Sequence, residues 1–151
     1  MTPSYCLDTN VLLLLVRGKE AGTAIEAAFG LMASPYLHTL SIVTHGEILA
    51  LADRNKWVPA KLEVLNKALE QFVTIDISGR RIVDAYRQIE SFNASFPGGA
   101  VSMGKNDIWI AASAIISGLD LITTDGDFRH LDRALLKVHR VDPNSGKVIS
   151  L

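Results

Sequence analysis

Short apolar runs alternate along the chain with longer stretches patterned for helices, and this alternation predicts an α/β domain built on a mainly parallel sheet. The runs predict strands near Ser4 to Leu7, Leu37 to Leu40, Val73 to Ile77, Leu119 to Thr124 and Lys137 to Val141. Between them, helices are predicted over about Asn10 to Val16, Glu20 to Ala33, Ile42 to Asn55, Pro59 to Phe72, Gly79 to Ser95 and Lys105 to Ser117. A short helical turn is expected around Phe128 to Leu131. Pro59 suits a first helical turn, where its missing N–H goes unused. Phe96-Pro97-Gly98-Gly99-Ala100 reads as a loop, because Pro and paired Gly halt a helix. After Pro143-Asn144-Ser145-Gly146, the segment Lys147-Val148-Ile149 is expected to turn back as a small edge strand. No internal repeat or low-complexity tract interrupts the pattern.

Composition narrows the class. With 151 residues, 48% of them hydrophobic and a mean hydropathy of +0.23, the chain fits one well-buried domain over residues 1–151. Its apolar runs are too short to cross a bilayer. Tyr5 to Val16 holds Asp8 and Asn10, has no basic segment before it and no small-residue cleavage pattern after it, so a signal-peptide reading fails and a soluble cytoplasmic protein is expected. The single cysteine, Cys6, forbids an internal disulfide and reads as a small buried hydrophobe, which argues against zinc. A net charge of −1 argues against a protein that simply coats nucleic acid. Removing four carboxylate charges by metal binding would leave the rest of the surface at +3, so a polyanionic substrate stays compatible.

Four acidic motifs break this apolar background: Asp8 in Leu7-Asp8-Thr9-Asn10, Glu47 in Thr44-His45-Gly46-Glu47, Asp107 in Asn106-Asp107-Ile108-Trp109, and Asp125 with Asp127 in Thr123-Thr124-Asp125-Gly126-Asp127. Each has an ordinary explanation when taken alone. Asp8, Thr9 and Asn10 are all good helix N-caps, Asp107 suits a first helical turn, and Asp125-Gly126 is common turn chemistry. Glu47 is harder to dismiss, because Ile42, Val43, Ile48, Leu49, Ala50, Leu51 and Ala52 leave its helix little solvent face and no basic residue stands three or four positions away. Together the acids point to one site: Asp8 and Asp125 end predicted strands and Asp107 begins a helix, which puts them at one edge of the sheet. Carboxylates beside an apolar core need a partner, and an all-oxygen set suits Mg²⁺ or Mn²⁺.

Other residues compete poorly for a role. His38, His45, His130 and His139 have no zincin-like spacing, although His45 and His130 are close enough in sequence to the motifs to approach the site. Trp57 and Trp109 read as packing residues. Arg80, Arg81, Arg129, Arg133 and Arg140 read as dispersed surface charge.

In this order and spacing, from Leu7 to Phe128, the four motifs resemble those of the PIN-domain ribonucleases, and the small single-domain size resembles their VapC-type toxin branch. The resemblance implies a three-layer α/β/α domain around a mainly parallel sheet. It places Asp8, Glu47, Asp107 and Asp125 at the family's four acidic positions, as catalytic metal ligands. Asp127 either helps bind metal or stabilises the turn, and Thr9, Asn10 and Thr124 are expected to orient ligands through hydrogen bonds. The implied activity is metal-dependent endoribonuclease hydrolysis. The implied partners are an RNA substrate, a VapB-type antitoxin whose C-terminal segment covers the active site, and a second copy of the chain. A signalling receiver domain also joins Mg²⁺-binding Asp residues to a parallel sheet, but here Asp53 falls in a helix and Asp8 has no acidic neighbour. A non-catalytic RNA- or protein-binding module differs from both in lacking metal-dependent RNA cleavage.

Overall fold

A computed structural model describes residues 2–151. In chain order the elements are β1 (Tyr5–Leu7), α1 (Thr9–Arg17), α2 (Glu20–Phe29), β2 (Thr39–Ser41), α3 (Ile42–Arg54), α4 (Pro59–Gln71), β3 (Val73–Ile75), α5 (Arg80–Ala94), α6 (Lys105–Ser117), β4 (Asp120–Thr123), β5 (Val138–Val141) and β6 (Val148–Ile149). The sheet order is β3-β2-β1-β4-β5-β6, parallel throughout except for β6, which pairs antiparallel with β5. The chain winds outward from β1 through β2 to β3, then returns to lay β4 on the other flank of β1. The strand order therefore reverses between β1 and β4, and the crevice at the carboxyl ends of these two strands is where such sheets bind ligands.

Alternation along the strands feeds two separate cores. Leu7, Leu40 and Ile122 point to one face, where they meet Leu12, Ile25, Ile48 and Leu65 from α1 to α4. Cys6, Leu121 and Val138 point to the other, against Ile82 and Ile89 of α5 and Ile108 and Ala111 of α6. The result is the expected three-layer α/β/α arrangement. Burial pushes the Cys6 thiol up to about 12, which leaves it an inert packing group. Trp57 lies under the Lys61 ammonium and Trp109 packs on Tyr86, so both tryptophans serve as packing residues. No helix of the described residues is long and apolar enough to cross a membrane.

Several boundaries move from the sequence reading for local reasons. α2 stops at Phe29 and does not run to Ala33: Gly30 takes a left-handed conformation, and the Glu26 carboxylate accepts from the N–H groups of Met32 (2.6 Å) and Ala33 (3.0 Å). β2 begins at Thr39, two residues late, because Pro35 opens a 3-10 turn over Pro35–Leu37. β3 ends at Ile75, where Asp76 turns the chain by accepting from Ile77 N at 2.7 Å and Ser78 Oγ at 3.2 Å. The apolar α3 is not enclosed on all sides. Thr44, Ile48 and Ala52 form its buried stripe, while Ile42 and Leu49 are exposed. The edge strand expected at Lys147 to Ile149 forms as β6.

The crossing of α1 and α2 depends on Gly22, which is buried where a Cβ would drive into the Leu14 carbonyl oxygen. Backbone cannot yield as a side-chain tip can. Gly22→Ala is expected to cost about 2 kcal/mol through overpacking and to lower the melting temperature by roughly 5 °C, as read by thermal denaturation.

Candidate active site

The register of the three central strands sets the site. Leu7 stands opposite Leu40 on one side and Ile122 on the other, so the next residues, Asp8, Ser41 and Thr123, emerge together at the carboxyl edge. Asp8 is only 4% exposed, and its backbone N–H donates to Ile122 O at 2.9 Å. It caps α1 as the sequence allows, with Oδ1 accepting from Thr9 N at 2.8 Å, while Oδ2 accepts from Thr123 Oγ1 at 2.7 Å. Burial pushes the Asp8 carboxyl up to about 6 despite these donors, and the charges of Glu47 and Asp125 add to the rise.

A chain of hydroxyls and amides ties the other acids to Asp8. Thr123 Oγ1 gives its proton to Asp8 and accepts from Asp125 N at 2.9 Å, and Asp125 Oδ1 in turn accepts from Asp127 N at 2.9 Å. On the other side Thr9 Oγ1 donates to Glu47 Oε1 at 2.6 Å. Its single proton is thereby spent, so Thr44 Oγ1, 3.0 Å away, is the donor in the Thr44–Thr9 bond. Asn106 Nδ2 donates to Glu47 Oε2 at 3.2 Å, and the next residue is Asp107, in the first turn of α6.

Asp107, Asp125 and Asp127 each present a carboxylate oxygen within 4.8 Å of the others. Partial burial pushes the Asp107 carboxyl up to about 7, with further rises from the charges of Asp8, Asp125, Glu47 and Asp127 in that order. None of these five acids forms an ion pair with a basic side chain among the described residues. Three hard oxygens converging without a counter-charge fit a divalent cation of the Mg²⁺ or Mn²⁺ kind.

All five acids singled out from the sequence reach this edge, but their grouping differs from the one expected. Asp127 stands within the tight group, whereas Asp8 and Glu47 flank it. Of the polar neighbours, Thr9 orients both Asp8 and Glu47, Asn10 is exposed, and the role expected of Thr124 falls to Thr123. Thr44 and Asn106 were not assigned a role from the sequence, although both lie inside the quoted motifs. The histidines are occupied elsewhere: His45 with Thr74, His130 with Asn93, His139 with Asp120, and His38 with the Tyr5 N–H.

The family model of the PIN domain matches residues 5–134. Among solved structures, a chain of VapBC2 from Rickettsia felis, bound to a DNA fragment from its promoter, superposes with a TM-score of 0.71 at 20% identity, over 91% of this chain and 98% of that one. DNA-bound VapBC from Salmonella typhimurium gives 0.70 at 20% identity, over 90% and 96%. FitAcB from Neisseria gonorrhoeae gives 0.61 at 25% identity, over 89% and 95%. No curated protein sequence matches the chain.

The raised carboxyls of Asp8 and Asp107 have a consequence for stability. Folded protein holds these protons to about pH 6 and about pH 7, whereas the unfolded chain releases them near the ordinary value of 3.8. Their contribution is fully present below that value and is lost as pH rises through the folded values; it is on the order of 3 kcal/mol for the buried Asp8, and solvent screening reduces that of the half-exposed Asp107. The metal-free melting temperature is expected to fall by roughly 5–10 °C between pH 5 and pH 8. Asp107→Asn should flatten the fall and Mg²⁺ should oppose it, both read by differential scanning fluorimetry.

Proposed function

The chain belongs to the PIN-domain family, and we propose that it is a metal-dependent endoribonuclease acting as the toxin of a VapBC-type toxin–antitoxin pair. The observation that carries the reading is the convergence of Asp8, Glu47, Asp107, Asp125 and Asp127 at the sheet's switch point without a basic partner. The tight group of Asp107, Asp125 and Asp127 would hold Mg²⁺ or Mn²⁺, with Asp8 and Glu47 completing the field of negative charge around it. A cation held there supplies Lewis acidity toward both the phosphodiester and the attacking water.

The chain's own part is to bind and orient. Asp8 is fixed at both oxygens, by Thr9 N and Thr123 Oγ1, and Glu47 at both of its own, by Thr9 Oγ1 and Asn106 Nδ2. Neither carboxylate has freedom to turn away, so the ligand field is set before substrate arrives. Asp125 braces Asp127 through the backbone, which couples the turn after β4 to the same frame.

The matrix of partners follows from the relatives. VapBC-5 from Mycobacterium tuberculosis is a member of the VapBC family of toxin-antitoxin systems, and a further similar structure is a toxin-antitoxin complex from Klebsiella pneumoniae; this chain would pair in the same way with an antitoxin. A basic side chain from that antitoxin, inserted among Asp8, Glu47, Asp107 and Asp125, would satisfy the carboxylates and exclude metal. We also infer a homodimer, which light scattering on the purified chain would test.

Purified protein is expected to cleave RNA with Mg²⁺ or Mn²⁺ and to stop in EDTA. Asp8→Asn, Glu47→Gln, Asp107→Asn and Asp125→Asn should each lower turnover by at least about 100-fold while the far-ultraviolet dichroism stays unchanged. Asp127→Asn, by its place in the tight group, should weaken Mn²⁺ binding measured by calorimetry. Robust cleavage in chelator would overturn the metal-dependent mechanism.

Expression of the chain alone should arrest growth, and co-expression of a neighbouring small antitoxin should restore it. The check is a pull-down of the pair followed by RNA cleavage, with the antitoxin's C-terminal basic residues intact or replaced. A tight complex with undiminished nuclease activity would rule out active-site occlusion.

A further inference from the structure

One basic side chain stands against the acidic turn without neutralising it. Arg140 lies on β5 directly opposite Thr123 of β4, the residue whose hydroxyl binds Asp8. It is therefore at the carboxyl edge, beside the segment Asp125-Gly126-Asp127. A Cβ built on Gly126 would lie 3.3 Å from Cζ, Nη1 and Nη2 of Arg140 alike. Three equal distances mean that the guanidinium lies face-on against Gly126, and the missing side chain is what lets it approach so closely.

A face-on guanidinium keeps its N–H bonds in its own plane, directed away from the surface on which it stacks. Nε is buried and has no hydrogen-bond partner, and no carboxylate among the described residues lies within ion-pair distance of the group. Its charge is felt at Asp142, whose carboxyl is held below the ordinary range mainly by the N–H groups of Ser145 and Asn144, with Arg140 a lesser cause. Asp142 Oδ1 is spent on those two N–H groups, each at 2.8 Å. Arg140 thus carries a half-buried charge with an unused donor edge, next to a site that would receive an anionic backbone.

We propose that Arg140 is a phosphate-binding residue, its planar donor edge gripping a phosphodiester of the RNA strand adjacent to the one held at the acids. The inference rests on the nuclease reading above. It explains why a positive group is seated within the acidic edge without being consumed by it: the guanidinium stacks on Gly126 with Nε buried, and the phosphate supplies the acceptor that its two terminal nitrogens lack. Arg140 acts on binding and strand register, while the carboxylates act on the reacting phosphate.

The test uses the full chain with Arg140→Gln, Arg140→Lys and a charge-matched control, Arg80→Gln, whose parent side chain is engaged with Asp84 at 3.0 Å. For Arg140→Gln, KM for an RNA cut by the wild type should rise roughly tenfold with kcat held within about twofold. Mn²⁺ affinity by calorimetry should be unchanged, and Arg80→Gln should match the wild type. In the cleavage-disabled Asp8→Asn background with Mg²⁺, binding of a mixed-sequence single-stranded RNA should lose about 0.7 from its log–log salt slope on Arg140→Gln. Arg140→Lys should recover the slope but not the full affinity, since a point charge replaces a fork. Equal KM and equal slope in Arg140→Gln and wild type would overturn the proposal. Loss of Mn²⁺ affinity in step with activity would also overturn it, by making Arg140 a brace for the turn. Failure of the wild type to cleave or bind RNA at all would instead sink the nuclease reading, a different signature.

Discussion

Five carboxylates at the edge of an apolar sheet repel one another, and their placement governs everything around them. Two opposing demands meet here: desolvation and mutual repulsion push Asp8 and Asp107 toward the protonated form, while directed donors hold the charged form in place. The fold answers with hydrogen bonds from neutral groups. Thr9, Asn106 and Thr123 provide them, with Thr44 bonded behind Thr9, and they orient the oxygens without cancelling their charge. A lysine or arginine in any of those positions would give a more stable apo protein with no vacancy for a cation. The polar frame thus sacrifices stability to keep a charge deficit at one point.

The layers of the fold serve that point. Because β1 and β4 are adjacent while their onward connections diverge, the carboxyl end of this strand pair is not covered by a crossing segment. α3 brings Glu47 from one side of the sheet, and α6 brings Asp107 from the other, packed through Ile108 and Ala111 into the second core. Asp8, Glu47 and Asp107 come from three different elements, and Asp125 and Asp127 share the turn after β4, so the site draws its rigidity from both cores.

The parallel α/β architecture was legible because apolar runs and helical stretches alternate cleanly, and α6 spans the predicted Lys105 to Ser117. The acids were legible for a related reason: Glu47 and Asp107 lack a counter-charge at helical spacing, so each asks for a partner elsewhere. What the sequence hid were relations across the sheet. Thr123 and Thr124 are indistinguishable in a string, and only the pairing of Leu7 with Ile122 turns Thr123 toward Asp8. Glu26 ending a helix by capping beyond it, and the stacking of Arg140 on Gly126, likewise depend on contacts that no local pattern encodes. The exposed apolar side of α3 misled in the opposite direction, since hydrophobicity all round a helix does not say how much of it the sheet has room to cover.

The bond between Thr123 and Asp8 joins residues 115 positions apart. Contacts of this kind close late, because the intervening chain must first be ordered. As the polypeptide leaves the ribosome, Asp8 appears long before its Thr123 partner and the turn that carries Asp125 and Asp127, and domains fold as units. A nascent chain interrupted before β4 therefore holds isolated acids and no assembled centre. The acidic centre cannot exist, even in part, until β4 and the turn after it have been made.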